Sequence, residues 1–481
     1  MYTHDYPFCW RCHSPLLYYA NPRKSWFIKV TAIKDKLIEN SRVINWFPSH
    51  LKEGRFGEWL KEVKDWAFSR ERFWGTPLPI WKCSQCDYLE VIGSKDDLRA
   101  QKFTTNRYFI MRHGFAETNL KGIVSSSPDK NYSLTKFGKF QTKKAVKKLK
   151  KIIGTQKLDV IISSDLRRCV QTSEIFAKEL GLKVKYDSRI REINHGEWEG
   201  KSLLKFRAKF QIPPEKFFKE GPPGGENWND CKKRMINFIE DIDQKYHNKN
   251  ILIVSHGDPL WLLQGAMEGF ENNDFLNRIR VKRGYIKKGE LQEIKFRKFP
   301  YNEKEELDLH RPYIDKVKFL CPKCGRRMLR VKEVCDVWFD SGAMPFAQYH
   351  YPFENKDLID NGLRFPADYI AEAIDQTRGW FYTLLAVSTL LGEGTSYKNV
   401  ICLGHVLDQK GEKMSKSKGN IIDPWKMIEN YGADALRWYF FTINQPGESK
   451  RFDERDVRKC FNKFILTFWN IFLFWKEYSP D

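Results

Sequence analysis

Short apolar runs alternate with amphipathic stretches through the middle of the chain. Buried strands of a parallel sheet are predicted where such runs end in turn or polar residues, at 108–111, 160–163 and 251–255. Helices are predicted where apolar residues recur at helical spacing, at 134–153, 167–180 and 231–246. This alternation predicts an α/β unit with helices covering a parallel sheet.

The character of the chain changes twice, which predicts an inserted domain. Residues 1–101 are rich in Trp, Pro and Arg, the α/β pattern follows, and the first character returns near residue 305. A chain of 481 residues also exceeds what one hydrophobic core usually supports. We expect four segments: 1–101, an insert at 102–304, a continuation at 305–450, and the start of a helical domain at 451–481.

The most apolar stretch lies near the C-terminus, at residues 464–475. It is too short to span a bilayer and contains Asn470, so we expect a helix that faces a core rather than a membrane. The N-terminus lacks the basic and apolar pattern of a signal peptide, which favours a cytoplasmic location.

A formal charge of +22 raises the expectation of a polyanionic partner. A lysine-rich composition alone would give the same excess, so the sign leaves nucleic-acid contact and simple solvation open. We expect the lysines along the first helix of the insert to form a solvated face rather than an RNA contact. They are Lys139, Lys143, Lys147 and Lys150.

Six of the eleven cysteines form three C-x-x-C pairs. Pairs at this spacing in a large chain without a signal sequence favour zinc half-sites in a reducing compartment over disulfides. The pairs are Cys9 with Cys12, Cys83 with Cys86, and Cys321 with Cys324.

Two histidines directly follow predicted strands of the insert. His113 follows the first strand and His256 the last, and ligands of α/β sheets bind beyond such strand ends. Either histidine alone would most simply be structural. Together with Arg112 and Arg168, which can hold an anion, they indicate a nucleophile in a phosphate pocket.

The motifs around these residues resemble those of the histidine phosphatase superfamily, also called phosphoglycerate mutase-like. They follow the family's order over about 190 residues: Arg112-His113-Gly114 with Asn119, residues 163–168 with Gln171 and Thr172, Arg191-Glu192, residues 196–200, and Ser255-His256-Gly257. One departure is Phe115, where many members carry an acidic residue.

This resemblance implies a three-layer α/β fold and a reaction through phosphohistidine without a cofactor. His113 would attack phosphorus, while Arg112, Arg168 and His256 would surround the phosphoryl oxygens. Glu192 would be the general acid and base, and Asn119 completes the set. We expect a phosphatase acting on a phosphorylated small molecule rather than a mutase, although these residues do not distinguish the acceptor.

The segments outside the insert resemble class I aminoacyl-tRNA synthetases of the isoleucyl type. The strongest signal is Lys413-Met414-Ser415-Lys416-Ser417, which matches the KMSKS motif of that class. Further matching segments are residues 69–75, 308–313, 336–342, 375–380 and 431–438. The resemblance implies part of a Rossmann-like catalytic domain, with ATP (as its Mg complex), isoleucine and the isoleucine tRNA as partners.

Site roles follow from the same resemblance. Lys413 and Lys416 would stabilise the pyrophosphate leaving group. The aminoacyl-adenylate pocket would be lined by Glu372, Asp375 and Gln376, with Trp338 and Trp380 as walls around an aliphatic side chain. Two departures are Ala373, where glycine is expected, and Glu71, where glutamine is expected.

Removing residues 102–304 brings two cysteine pairs close in sequence. It leaves residues 87–101 and 305–320, 15 plus 16 residues, between Cys86 and Cys321. This span suits a ribbon with a Cys₄ zinc site formed by Cys83, Cys86, Cys321 and Cys324. Cys9 and Cys12 would be half of a second site.

The HIGH motif and the editing domain of the class have no counterpart in this sequence. We therefore expect a fragment of an isoleucine–tRNA ligase with an active phosphatase, incomplete for adenylation, as a truncated gene product or a partner of a separate N-terminal half. An alternative is a stand-alone phosphatase or mutase whose flanks bind tRNA or dock a partner. A non-catalytic remnant is disfavoured by the complete phosphatase motifs.

Overall fold

A computed structural model describes residues 6–9, 12–17, 25–210, 213–280, 286–415 and 419–479. The strands, in chain order, are β1 Phe27–Ile28, β2 Asn45–Phe47, β3 Trp66–Ala67, β4 Ser69–Arg70, β5 Ile80–Cys83, β6 Leu89–Val91, β7 Arg107–Arg112, β8 Val160–Ser163, β9 Val184–Tyr186, β10 Asn250–Ser255, β11 Leu291–Ile294, β12 Phe319–Leu320, β13 Arg327–Arg330, β14 Val334–Cys335, β15 Ala367–Ala373, β16 Tyr397–Leu403, β17 Val406–Leu407 and β18 Lys450–Arg451.

The α-helices, in chain order, are α1 Lys34–Arg42, α2 Gly57–Lys61, α3 Lys95–Ala100, α4 Glu117–Lys121, α5 Lys136–Ile153, α6 Arg167–Leu180, α7 Leu203–Phe210, α8 Trp228–Lys245, α9 Gly257–Met267, α10 Asn272–Arg280, α11 Val337–Ala347, α12 Lys356–Asp360, α13 Trp380–Leu391, α14 Pro424–Tyr431, α15 Ala433–Thr442, α16 Glu454–Cys460 and α17 Thr467–Tyr478. Within the described residues, none of these helices combines the length and apolar character needed to cross a membrane.

The chain divides into two compact units. One contains Met1–Thr76 and Val334–Asp481, and the other is the continuous segment Pro77–Glu333. The second unit includes the cysteine-rich strands as well as the α/β insert. The insert boundaries predicted at residues 102 and 304 therefore lie inside this unit.

The central sheet of the Pro77–Glu333 unit has the strand order β11-β7-β10-β8-β9. Strands β7, β10, β8 and β9 are parallel, and only β11 runs antiparallel to its neighbour β7 within the described sheet. The predicted strands at 108–111, 160–163 and 251–255 are confirmed, and so is their parallel arrangement.

Helices cover both faces of this sheet, as alternate strand residues point to opposite faces. On one face, Phe109 and Leu252 pack in a cluster with Leu149 of α5 and Phe176 of α6. On the other, Tyr108, Ile110 and Ile253 pack in a cluster with residues of α8 and α9. The three-layer α/β prediction is confirmed, and the predicted helices match α5, α6 and α8 to within a few residues.

The cysteine-rich strands form an antiparallel sheet of order β12-β13-β5-β6. Trp81 of β5 is fully buried and donates from Nε1 to the Val317 carbonyl over 2.9 Å. Trp81 and Phe319 belong to the same hydrophobic cluster as the insert residues Tyr108 and Trp261. This shared core explains why the ribbon and the insert form one compact unit.

The other unit contains a parallel sheet of order β15-β16-β2. Helix α13 is buried along most of its length, and its Phe381 and Leu385 pack in one cluster with Tyr397 and Val400 of β16. Parallel strands covered by a buried helix agree with the expected Rossmann-like architecture.

The C-terminal apolar stretch forms a π-helical segment, Phe461–Leu466, followed by α17. The predicted helix is confirmed, but the expectation that it faces a core is wrong for the described residues. None of the residues of α17 is buried, and Phe468, Phe474 and Trp475 are more than 60% exposed. Apolar residues lie around the whole circumference, so packing on one face would leave the others uncovered.

Candidate functional site

The two histidines lie next to each other because each follows one of two neighbouring parallel strands. Strands β7 and β10 pair with Arg112 opposite Ser255, so both chains leave the sheet at the same edge. The next residue, His113, donates its backbone N–H to the Ser255 carbonyl over 3.1 Å. The ring centroids of His113 and His256 lie 5.2 Å apart, and both residues are buried.

Arg168 joins the two rings. It lies in the first turn of α6, is 4% exposed, and donates from Nε to His113 Nε2 over 3.2 Å. Its Nη2 lies 3.1 Å from His256 Nδ1 and donates to the Ser125 carbonyl over 2.8 Å. One guanidinium thus orients both imidazoles, because arginine can only donate.

These contacts fix the protonation of His113. Its Nδ1 lies 2.8 Å from the Gly114 carbonyl, which can only accept, so Nδ1 carries the proton. Its Nε2 accepts from Arg168 and therefore presents a lone pair. Burial, followed by the charges of Arg168 and Arg112, holds the pKa of His113 well below its usual range, which keeps the ring neutral.

His256 is held from both sides. Its Nδ1 accepts from Arg168, so in the neutral ring the proton lies on Nε2, which is 2.9 Å from Ser164 Oγ. The Cys169 Sγ is also 3.3 Å from Nε2. Burial and then Arg168 hold the pKa of His256 far below the ordinary value.

Arg112 leaves part of its hydrogen-bonding capacity unused. Its Nη1 donates to the Ile286 carbonyl over 3.2 Å, whereas its Nε is buried without a partner among the described residues. Within the described residues, no carboxylate oxygen lies within 4.0 Å of a guanidinium nitrogen of Arg112 or Arg168. An unpaired buried donor costs about 1–3 kcal/mol, which a bound anion would offset.

Glu192 lies among these groups as a partly buried carboxylate. Burial, helped by the nearby Asp258, raises its pKa to about 6, although Arg168 and Arg112 act in the opposite direction. Its Oε1 accepts the Ile193 backbone N–H over 3.1 Å. A carboxyl with this pKa exchanges a proton near neutral pH.

Asn119 has a local structural contact. Its Oδ1 accepts the Ala116 backbone N–H over 3.0 Å at the start of α4. Of the residues predicted for the phosphatase site, it is the one whose side-chain contact serves a helix cap. The structure adds Ser164, Ser125 and Cys169 to the neighbourhood of the two rings. Ser164 lies in a quoted motif, but the Ser125 carbonyl has no sequence signal.

The four predicted zinc ligands converge at the ribbon. The Sγ atoms of Cys83, Cys86, Cys321 and Cys324 all lie within 4.8 Å of one another. Cys83 is 3.4 Å from Cys324, and Cys86 is 3.6 Å from Cys321. Tetrahedral zinc with sulfur ligands at about 2.3 Å would hold them roughly 3.8 Å apart, so the donor set fits the metal.

Cys9 and Cys12 both contact Ser14. The Cys9 backbone N–H donates to the Ser14 carbonyl over 2.8 Å, and the Cys12 Sγ is 3.2 Å from Ser14 Oγ. No third metal-binding side chain joins them within the described residues.

The predicted adenylate residues cluster where β15 ends, in the other unit. Glu372 is the second-last residue of β15, while Asp375 and Gln376 lie in the 3₁₀ helix Ile374–Arg378. Gln376 Oε1 accepts the Trp380 backbone N–H over 2.8 Å, and its Nε2 donates to Asp375 over 3.2 Å.

A glycine brings the two predicted wall residues together. A Cβ added at Gly379 would lie 2.6 Å from Gln376 Oε1 and 3.2 Å from Cη2 of Trp338. Trp380 Nε1 donates to the Ser341 carbonyl over 3.2 Å, in the same helix as Trp338. The departure at Ala373 causes no backbone strain, since its φ of −73° and ψ of 161° are open to any residue.

Asn420 contacts the described start of the lysine motif. Asn420 Oδ1 accepts the Ser415 backbone N–H over 2.9 Å, and its Nδ2 donates to Asp408 over 2.9 Å. Lys413 is exposed at the start of this motif, while Lys416 lies outside the described residues.

Comparison with known proteins identifies two families in this chain. The tRNA synthetases of class I (I, L, M and V) match residues 17–136 and 281–453, and the histidine phosphatase superfamily (branch 1) matches residues 108–299. The phosphatase match lies between the two synthetase segments and overlaps both at their edges.

Isoleucine–tRNA ligases are similar over nearly the whole chain. That of Dehalococcoides mccartyi is 33% identical over 99% of this chain and 28% of its own length. Isoleucine–tRNA ligase 2 of Bacillus cereus is 32% identical over 100% and 28%. The chain thus spans about a quarter of the length of these curated relatives.

Solved phosphatase structures also resemble part of the chain. The alpha-ribazole phosphatase of Shigella flexneri is 20% identical, with a TM-score of 0.33, over 47% of this chain and 98% of its own. YhfR of Bacillus stearothermophilus is 21% identical, with a TM-score of 0.34, over 44% and 99%. From the two family matches, the chain belongs to the class I tRNA synthetases of the I, L, M and V group and carries a histidine phosphatase domain between its synthetase segments.

Proposed function

We propose that the chain is part of an isoleucine–tRNA ligase and carries a phosphatase that works through a phosphohistidine at His113. The observation that supports the phosphatase most directly is the contact of Arg168 with both histidines. In this arrangement the buried His113 ring is neutral, and its Nε2 carries a lone pair near the guanidinium groups of Arg168 and Arg112.

The proposed reaction has two steps. His113 Nε2 forms a bond to phosphorus as the bond to the substrate oxygen breaks, and Glu192 gives that oxygen a proton. Water then attacks phosphorus and Glu192 takes its proton, so that phosphate leaves and His113 regains its lone pair. The proton returns to Glu192 in each cycle, so the catalyst ends in its initial state.

Arg168 changes its role when the substrate binds. In the structure its Nε donates to the lone pair that has to attack phosphorus. A phosphoryl oxygen can take this hydrogen bond instead, which frees the lone pair and satisfies the guanidinium. The unpaired Nε of Arg112 supplies a further donor and positive charge around the transferred group. His256 holds Arg168 through Nδ1 and would turn its Nε2–H from Ser164 to a phosphoryl oxygen.

The synthetase unit supplies a second set of roles. We propose that Glu372, Asp375 and Gln376 bind the aminoacyl adenylate, with Trp338 and Trp380 beside the aliphatic side chain, and that Lys413 and Lys416 belong to the KMSKS loop. ATP, isoleucine and the isoleucine tRNA would be the substrates of the whole ligase. The similarity of isoleucine–tRNA ligases to 99% of this chain supports this specificity, and a cytoplasmic location stays a prediction.

We also propose zinc at the Cys₄ cluster. Thiolates in a tetrahedral set are the usual structural ligands of zinc, and the four Sγ atoms need only small shifts to reach that geometry. Zinc there would link the two chain segments on either side of the insert.

Hydrolysis of an aryl phosphate tests the phosphatase. The intact chain should release phosphate from p-nitrophenyl phosphate without added divalent metal, and His113→Ala should lower the rate by at least ~10³-fold because the nucleophile is lost. The exposed His247→Ala is the matched control and should keep the activity. Loss of activity in EDTA while the insert remains folded would contradict this mechanism.

The dependence of kcat/KM on pH tests the proposed role of Glu192 as general acid. Because the pKa of Glu192 is raised to about 6, its acidic form predominates below that pH, and kcat/KM should fall as pH rises through 6. Glu192→Gln should slow the reaction by roughly 10²- to 10⁴-fold and remove this alkaline limb. An unchanged profile in the variant would assign the titration to another group.

Metal analysis tests the Cys₄ site. The purified chain should contain one tightly bound zinc, and Cys321→Ser should lose it because one of four thiolates is removed. Cys460→Ser, which changes a cysteine outside the cluster, should keep the metal. Equal zinc in both variants would show that the metal is bound elsewhere.

Binding of a stable isoleucyl-adenylate analogue tests the synthetase site. The intact chain should bind the analogue, and Gln376→Ala should weaken it about tenfold through the lost hydrogen bonds. Gln156→Ala, an exposed glutamine of the Pro77–Glu333 unit, is the control. Calorimetry that finds equal affinity in the Gln376 variant would exclude this side chain from the pocket.

A further inference from the structure

The lysine-rich helix α5 begins against the proposed phosphatase pocket. Its N-cap Thr135 donates from both its backbone N–H and its Oγ1 to the Phe115 carbonyl, each over 3.0 Å. Gly138 in the first turn touches Gly114 and Phe115 so closely that a Cβ on either glycine would overlap backbone atoms. The helix therefore starts beside the two residues that follow His113.

The exposed side of α5 carries one sign of charge. Its 18 residues include eight lysines and no Asp or Glu. Lys150 has an ion pair with Glu179 at 3.6 Å, and Lys148 donates to the Leu291 carbonyl. The others have no ion pair within the described residues: Lys136, Lys139, Lys143, Lys144, Lys147 and Lys151.

The position of these charges is unfavourable for an isolated helix. The first turn contains Lys136 and Lys139 but no acidic residue, whereas the positive end of the helix dipole favours anions. A bound polyanion would convert this repulsion into attraction.

Aromatic rings lie between the lysines. Phe137 is 58% exposed and Phe140 is 64% exposed, although both belong to an otherwise amphipathic helix. Phe137 contacts Phe115 edge-on with ring centroids 6.3 Å apart. Exposed rings beside lysines are typical of surfaces on which nucleic-acid bases stack.

The segment around Lys288 connects the pocket with α5. Gly289 donates its N–H to the His113 carbonyl over 3.0 Å, while Gln141 of α5 donates to the Lys288 carbonyl over 3.1 Å. The Lys288 ammonium lies 5.3 Å from the Phe115 ring centroid. Positive charge and aromatic surface thus continue from the pocket along the helix.

We infer that the phosphatase acts on the terminal phosphate monoester of a single-stranded polynucleotide. We call its binding surface the lysine face: Lys139, Lys143, Lys147, Phe115, Phe137 and Phe140. The inference rests on the proposed phosphatase and names its substrate class. In the reaction, the bond between phosphorus and the terminal sugar oxygen breaks, and water supplies the atoms that yield inorganic phosphate and a terminal hydroxyl.

The regular spacing of the lysines favours a polymer over a small phosphate ester. Lys139, Lys143 and Lys147 recur every four residues, so their Cα atoms follow each other at about 6 Å along a rigid helix. The row spans about 12 Å, so a single phosphate group would not contact all three lysines. A polynucleotide contact at the lysine face differs from the solvated surface and the small-molecule substrate that the sequence predicts.

Competing substrates test this inference in the intact chain. We would compare p-nitrophenyl phosphate with oligoribonucleotides of eight nucleotides that carry a phosphate at either the 3′ or the 5′ end. At least one oligonucleotide should have a kcat/KM roughly tenfold or more above that of the aryl phosphate at low salt, through contacts to the lysine face.

A triple variant then isolates the lysines. Lys139→Gln, Lys143→Gln and Lys147→Gln together should spare hydrolysis of the aryl phosphate and weaken that of the oligonucleotide. Each phosphate contact of a single strand contributes a slope of about −0.7 to the logarithm of affinity against the logarithm of salt concentration. Because the variant lacks three such contacts, raising the salt from 50 to 200 mM should lower kcat/KM for the oligonucleotide roughly 20-fold more in the wild type than in the variant. Lys183→Gln, Lys233→Gln and Lys245→Gln remove the same charge elsewhere on the unit and should leave both substrates unaffected.

A second variant covers the case in which the triple variant does not fold. Phe140→Ala changes one exposed side chain and should raise the KM for the oligonucleotide severalfold without altering aryl phosphate hydrolysis, because a stacking contact is lost. Equal hydrolysis of oligonucleotide and aryl phosphate, or equal effects of the two lysine triples, would overturn the inference. The proposed phosphatase would still stand in that event if His113→Ala abolished aryl phosphate hydrolysis.

Discussion

The register between β7 and β10 is the constraint on which the phosphatase site depends. Pairing of Arg112 with Ser255 places the residues after both strands at one edge of the sheet, where His113 and His256 face each other. A shift by one residue would turn every side chain of the strand to the opposite face. The apolar clusters on both faces of the sheet therefore stabilise the geometry of the site as well as the fold.

Arg168 constrains the orientation and the protonation of the two imidazole rings. Its guanidinium is buried and contacts both rings and the Ser125 carbonyl, so its orientation is determined by three acceptors. The donor-only chemistry of arginine then leaves lone pairs on His113 Nε2 and His256 Nδ1. One residue thus organises the proposed anion site and the protonation state of the proposed nucleophile.

Much of this arrangement could be predicted from sequence because it follows strand ends. Apolar runs located β7, β8 and β10, and the residues after them gave His113 and His256. Contacts that depend on backbone carbonyls could not be predicted, since the Ser125 carbonyl that orients Arg168 has no residue-type signal. Nor could sequence show that Trp81 of the ribbon and Tyr108 of the insert belong to one core. The sequence also did not predict that α17 is exposed, because an apolar composition does not show which of its side chains pack against other elements.

The proposed phosphatase mechanism depends on a covalent phosphohistidine at His113. A brief reaction with an oligonucleotide or aryl phosphate, stopped in alkali to preserve phosphoramidates, should leave a phosphoryl group that peptide mass spectrometry localises to His113. The bond should be lost on brief acid treatment, as expected of a phosphohistidine. Steady release of product with no phosphoryl group on His113, or with one on another residue, would contradict this mechanism.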